Sequence, residues 1–273
     1  MIQNRQTADP VLASLNYHIA GEANPQIVID ADGIPGNRID PELDRRTVEL
    51  HDLREQEKSP TFRHSGFEFV RSPTEVSRFG KDDFDRKVYD RELISLIRRT
   101  TGASEVEIFN HTIRTDGDGT RPPARHVHGD YNAESARARL YDILGSELAS
   151  EWEQGKFGLV NVWRPLCHPV EPAPLAFAVP ESVAASDWTD IDIVYPDRVG
   201  HISGLKHNPE HRWVFLPDMT PDDVVVFNVF DSAGLPAVAH SAADLVVLTG
   251  NARVRRSIES RSLVRFSQTL QVL

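Results

Sequence analysis

The sequence contains a single cysteine, Cys167. That excludes an internal disulfide framework and any cysteine-based zinc site, and it suits a cytoplasmic protein. No apolar run reaches the roughly 18 residues of a membrane-spanning helix, so no membrane partner is expected. Met1 is not followed by an apolar segment, so no secretory leader is expected. Basic residues are in deficit: Lys and Arg number 30 against 41 Asp and Glu, giving a net charge of −11. This argues against a nucleic-acid or anionic-membrane partner. No repeat period is visible.

What remains is ample for a core. The chain has 273 residues, 40% of them hydrophobic. That suits one large β-barrel or sandwich with decorations. Residues 1 to about 60 are polar, and Ile27-Val28-Ile29 and Val48-Glu49-Leu50 suggest two edge strands in an arm against the core. Phe67 to Val70 alternates as a strand. Asp82 to Arg99 spaces Phe84, Val88, Leu93, Leu96 and Ile97 as an amphipathic helix, stopped at Gly102. Ser104 to Arg114 reads as a strand carrying Val106, Ile108, Asn110 and Thr112 on one face. Ala133 to Trp152 is helical again. Strands follow at 156–165, 174–179, 212–216, 224–230 and 252–266. The pattern predicts an antiparallel barrel or jelly roll. The expected organisation is an arm and helical flank, 1–103, packed on a mainly β core, 104–273, with one helical insertion.

The segment Arg125-His126-Val127-His128-Gly129-Asp130-Tyr131 carries the chemistry. Side chains two apart on a strand share a face, so His128 and Asp130 converge. Of eleven histidines, only His128 has a carboxylate two positions on. A surface turn or a satisfied strand histidine would explain the triplet alone. With a distal histidine it becomes a facial triad with open positions, the ligand set of non-haem Fe(II) oxygenases. His168, His201, His207, His211 and His240 are candidates. His240 fits best, late in the strand series and ahead of the basic strand Arg253 to Arg261. On that strand Arg255 and Ser257 share a face, as do Glu259 and Arg261. A guanidinium with a hydroxyl beside it suits a carboxylate anchor.

At this point the chain resembles the Fe(II)/2-oxoglutarate-dependent oxygenases of the AsaB/CmcJ-like hydroxylase/desaturase family. The resemblance lies in Asn16-Tyr17, Asp52-Leu53-Arg54, Gly66-Phe67-Glu68, Thr101-Gly102-Ala103 and Asn110 to Arg114. It continues through Val127 to Asp130, Asn161 to Leu166, Trp213 to Met219, Phe230-Asp231-Ser232, His240 and Arg255 to Arg261. Arg256 departs from an expected acidic residue, and Ala242-Ala243 are smaller than usual.

The resemblance implies a double-stranded β-helix (jelly-roll, cupin-like) with Fe(II) held by His128, Asp130 and His240. It implies 2-oxoglutarate as cosubstrate and O2 as oxidant, with Arg255, Ser257 or Arg261 meeting the far carboxylate. The implied reaction is C–H abstraction on a small natural-product or amino-acid-derived substrate in secondary metabolism, ending in hydroxylation, desaturation or oxidative cyclisation. Tyr131, Trp163 and Arg164 are expected on the substrate side. Spare arginines suit an anionic substrate, and the polar arm suits a homodimer. The rival readings are a cupin-like metal-dependent isomerase or binding module without oxygenase activity, a hydrolytic zinc enzyme, and a pseudoenzyme or structural partner. The first needs no carboxylate anchor, and the second needs a general base that the sequence does not supply.

Overall fold

The computed structural model describes residues 10–21, 25–34, 37–56, 58–80, 84–117, 121–247 and 253–267. The early strands are β1 (Val11–His18), β2 (Gln26–Ile29), β3 (Arg38–Ile39), β4 (Leu43–Asp52) and β5 (Phe67–Arg71). The core strands are β6 (Glu105–Thr115), β7 (His128–Gly129), β8 (Lys156–Pro165) and β9 (Leu175–Ala178). An inserted pair, β10 (Trp188–Val194) and β11 (Val199–Leu205), precedes β12 (Trp213–Phe215) and β13 (Asp223–Asp231). The last strands are β14 (His240–Ala242), β15 (Asp244–Leu245) and β16 (Arg256–Phe266). The helices are α1 (Phe62–Ser65), α2 (Arg86–Thr101) and α3 (Ala133–Glu153).

The strands form two sheets. One runs β5-β13-β8-β16-β6; the other contains β12-β9-β14-β7 at its centre. The five-stranded sheet and these four central strands face each other as the double-stranded β-helix. Phe157, Leu159, Trp163, Val225, Phe227 and Leu263 of the first sheet pack with Leu175, Phe177 and Val214 of the second. The outer face of the first sheet carries Val160, Val162, Val224, Val226 and Ile258, covered by Leu93, Leu96 and Ile97 of α2. Each such aliphatic side chain stabilises by about 1.5–3 kcal/mol on full burial. Because both faces are covered, β8 and β13 read as continuous apolar runs rather than alternating ones.

α2 begins at Asp85, whose carboxylate accepts from Val88 N at 3.0 Å. It ends at Gly102, where φ of 81° is free of strain only for glycine. α3 is capped by Asn132 and Ser135 in a reciprocal box, and Gly145 (φ 73°) breaks its helical backbone midway.

Two strand expectations need correction. β2 lies between β10 and β3, and β4 between β1 and β12, so neither is an edge. In β6, Arg261 of β16 faces Asn110 but the next residue, Ser262, faces Ile108. Phe109 is thus an extra residue, a β-bulge that reverses the facing order. Val106 and Ile108 pack under α2, whereas Asn110 and Thr112 turn inward. β1 and the β10–β11 pair, to which the sequence reading assigned no strand, extend the second sheet on either side of its centre.

The arm is fastened to the site. β1 runs beside the His128 segment: Val127 N donates to Asn16 O at 2.8 Å, and Asn16 Nδ2 donates to Arg125 O at 2.7 Å. Behind it, Trp213 Nε1 donates to the Tyr17 hydroxyl at 2.7 Å in the core of the outer layer.

Candidate active site

His128 and His240 stand directly opposite on neighbouring strands β7 and β14, with ring centroids 4.4 Å apart. His128 Nδ1 donates to His126 O at 2.8 Å, and His240 Nδ1 donates to Val238 O at 3.0 Å. A carbonyl only accepts, so each Nδ1 carries the proton and each Nε2 presents a lone pair. His240 Nε2 is buried without a partner. Asp130 Oδ1 lies 3.8 Å from His128 Nε2. One ligand atom from each of the three residues lies within 4.8 Å of the other two, and among the described residues they are the only such cluster of His, Cys, Asp and Glu.

The electrostatics suit a divalent cation. Burial, with His240 adding to it, pushes the His128 imidazole down to about 3, so it is neutral near pH 7. Burial alone would raise Asp130, but Arg261, the two histidines and the Asn161 hydrogen bond outweigh it and hold the carboxyl well below its usual range. Asn161 Nδ2 donates to Asp130 Oδ2 at 2.5 Å, which orients the other oxygen toward the imidazoles. Two imidazole nitrogens and one carboxylate, with an unpartnered buried Nε2, fit Fe(II).

The β16 face supplies the rest. Ser257, Glu259 and Arg261 pair with Arg114, Thr112 and Asn110 on one side and with Pro165, Trp163 and Asn161 on the other. Directly paired residues share a face, so these side chains look inward together. Arg255, just ahead of the strand, is 2% exposed. Its guanidinium lies 5.0 Å over the Trp163 ring, its Nε is 3.4 Å from Ser257 Oγ, and Nη1 donates to Ala173 O. Among the described residues no carboxylate lies within the 4.0 Å of an ion pair. Burial and the nearby Arg114 charge push Arg255 down to about 9. Arg261 differs. It pairs with Glu259 and lies 3.9 Å from Asp130. Burial disfavours its charge, but these two carboxylates outweigh that and raise it.

The structure brings His128, Asp130, His240, Arg255, Ser257, Arg261 and Trp163 to one interior. Tyr131 follows Asp130 at the flank, its hydroxyl raised by burial and by the Asp130 charge. Arg164 is not brought in. It sits on the opposite face of β8, where Nη1 donates to Pro221 O at 2.6 Å and the guanidinium lies 5.7 Å from the Tyr89 ring of α2. The expectation that it lines the substrate side is overturned by strand alternation. Asn161, Arg114 and Glu259 are inward residues that the sequence reading gave no role. Alternation from Trp163 and Ser257 is the signal that finds them. A cavity of about 760 Å³ lies elsewhere, lined by Tyr17, His51, His207 and His211 among others, and none of the three ligands borders it.

A family model described as "Oxidoreductase/YMDC permease-like domain" matches residues 15–265. The hydroxylase/desaturase efuI of Hormonema carpetanum is 32% identical, covering 80% of this chain and 82% of that protein. The Fe(II)/2-oxoglutarate-dependent dioxygenase nvfI of Aspergillus novofumigatus is 28% identical over 80% and 82%. The solved iron and α-ketoglutarate-dependent endoperoxidase NvfI superposes with a TM-score of 0.82 at 23% identity, covering 95% of this chain and 99% of that one. This last likeness is one of fold. No helix among the described residues is long and apolar enough to cross a membrane.

Proposed function

The chain belongs to the hydroxylase/desaturase family of Fe(II)/2-oxoglutarate-dependent dioxygenases, and from that premise we propose which of its residues carry the reaction. His128, Asp130 and His240 hold the iron through Nε2, a carboxylate oxygen and Nε2. Arg255 takes the far carboxylate of 2-oxoglutarate, with Ser257 beside it. The single observation supporting this pair of assignments is a buried guanidinium lacking a carboxylate, on the same interior as three convergent metal ligands. With dioxygen, bound iron and 2-oxoglutarate supply an oxidant able to take a hydrogen atom from an unactivated carbon.

The chain's own residues do the positioning. Asn161 holds Asp130 by one oxygen so that the other is free for the metal. The carbonyls of His126 and Val238 fix the two imidazoles in the tautomer that can ligate. Trp163 stacks under Arg255 and fixes its plane. Arg261 is held by Glu259 beside Asp130, which suits it to the substrate side more than to the cosubstrate. The substrate is a small natural-product or amino-acid-derived molecule. An anionic group on it is supported by Arg114 and Arg121: burial lowers the pKa of both, the Arg121 charge adds to the shift on Arg114 and the Arg114 charge to that on Arg255, so they form a cationic flank in an acidic protein. A cytoplasmic homodimer is the assembly we assign.

The test is an anaerobic ultraviolet-visible difference spectrum with Fe(II) and 2-oxoglutarate. A visible charge-transfer band in the wild type, lost in His240→Ala, is expected. A folded, metal-binding protein that shows no band refutes the reading.

A further inference from the structure

Two imidazoles beside the metal ligands have no task in the reading above. His126 stacks on His128, with centroids 4.5 Å apart and planes 27° from parallel. His18, from β1, stands edge-on to His126 at 5.7 Å. With His240 4.4 Å beyond His128, four rings form a continuous row from the ligand cluster out to the arm.

These rings share one face. His126 and His128 are two apart in an extended segment and point to the same side. Gly204 of β11 pairs directly with His128, so a Cβ there would point to that side too. Such a Cβ would meet the His18 ring at 2.4 Å. Glycine at 204 therefore leaves the seat that the His18 ring occupies. The same face of the inserted hairpin continues as Ile202 with Ile191, then Gly200 with Ile193, which pairs in turn with Ile27. An apolar surface thus runs on from the imidazoles.

His18 is 1% exposed. Neither of its ring nitrogens has a partner, and Nδ1 of His126 has none either. Burial holds the His18 imidazole down at about 4, so near pH 7 it is neutral and offers one N–H and one lone pair. Buried groups left unsatisfied destabilise the free protein and call for a cause. A carboxylate or phosphate is the wrong complement, because it brings no proton to an unpartnered acceptor. A hydroxyl both donates and accepts.

We propose that His18 and His126 form a recognition site for a hydroxyl group, alcoholic, enolic or phenolic, on an otherwise apolar organic substrate. The hydroxyl donates to one imidazole nitrogen and accepts from the N–H of the other. Any anionic group of that substrate lies toward Arg114 and Arg121. The proposal rests on the oxygenase reading only in calling the bound molecule the substrate.

The test uses the full chain loaded with Zn(II) and 2-oxoglutarate. Phenol and toluene serve as probes of nearly equal size, and ring-nitrogen shifts are followed in protein with isotope-labelled histidine. Phenol should shift the His18 and His126 nitrogens and bind about tenfold more tightly than toluene, the equivalent of one net hydrogen bond. His18→Phe should abolish that preference. His18→Gln, which keeps a donor and an acceptor, should retain part of it, and it carries the test if the Phe variant fails to fold. Equal affinity for the two probes, silent His18 nitrogens, or a preference surviving in His18→Phe overturns the proposal. If the Fe(II)–2-oxoglutarate band is absent while the phenol preference holds, the oxygenase reading falls and the hydroxyl site stands. If the band forms and no preference is found, only this proposal falls.

Discussion

Replacing Arg255 by Gln should separate stability from cosubstrate affinity. The guanidinium is fully buried and, among the described residues, meets the Ser257 hydroxyl, the Ala173 carbonyl and the Trp163 ring and no carboxylate. In the free protein the substitution removes a cation–π contact of at most about 2 kcal/mol. It also removes a buried charge without a carboxylate, whose residual desolvation cost is several kcal/mol. The melting temperature without 2-oxoglutarate should therefore hold or rise. With 2-oxoglutarate the balance reverses. Losing one partner of a buried, charge-assisted pair costs about 3–5 kcal/mol, or roughly two-hundred- to several-thousand-fold in Kd. Calorimetric titration of the metal-loaded protein reads that number, and thermal melts read the other. Arg255→Lys should fall between, since it keeps the charge but loses the planar fork. Arg114→Gln, at the less buried neighbour, should cost less. An Arg255→Gln protein that binds 2-oxoglutarate within threefold of wild type refutes the assignment. So does a melting temperature that drops as for a core truncation.

Asn161→Ala should leave the fold intact and weaken metal binding by about 10- to 100-fold, because Asp130 loses the amide that orients it; chelator competition measures this. Arg164→Met should cost about 1–3 kcal/mol in urea unfolding, since its Pro221 hydrogen bond and Tyr89 contact are lost. The iron–cosubstrate band should be unchanged, and its loss would return Arg164 to the site. Acid should destabilise the protein through His18. The unfolded imidazole titrates near its ordinary value of 6.5, and burial holds the folded one at about 4. Between these values the unfolded chain binds more protons, so this share of stability is complete above pH 6.5 and is lost as pH falls toward 4. The slope is about 1.4 kcal/mol per unit, about 3 kcal/mol in all. Unfolding at pH 7 and pH 5 should show about 2 kcal/mol of that share in the wild type and none in His18→Phe.

The legible parts of the fold were those with a strong local signal. β8 and β13 are rich in β-branched and aromatic residues because both of their faces are covered. α2 carried both its period and its glycine stop. The inserted hairpin was hidden by composition. Its strands alternate Asp190 and Asp192 with Ile191 and Ile193, and place Gly200 and Gly204 where a strand former would be expected. Local propensity is weak there because neighbouring strands, not the segment itself, hold it. The metal ligands were legible because alternation brings His128 and Asp130 together within one short segment. The same rule, applied to the next long strand, separates Trp163 from Arg164, since adjacent residues cannot share a face. The stacked row of His18 and His126 had no sequence signal, because it joins residues 108 positions apart through the arm.

The extra residue in β6 makes the strand sensitive to length more than to composition. Ahead of Phe109 the even-numbered Val106 and Ile108 face α2; beyond it the even-numbered Asn110, Thr112 and Arg114 face the interior, and His111 and Ile113 take the side toward α2. A deletion of one residue at 109 would change no side chain's chemistry, yet it would send the polar set beneath the helix or the apolar set into the charged interior. Indels at this point are barred while substitutions on either side are tolerated.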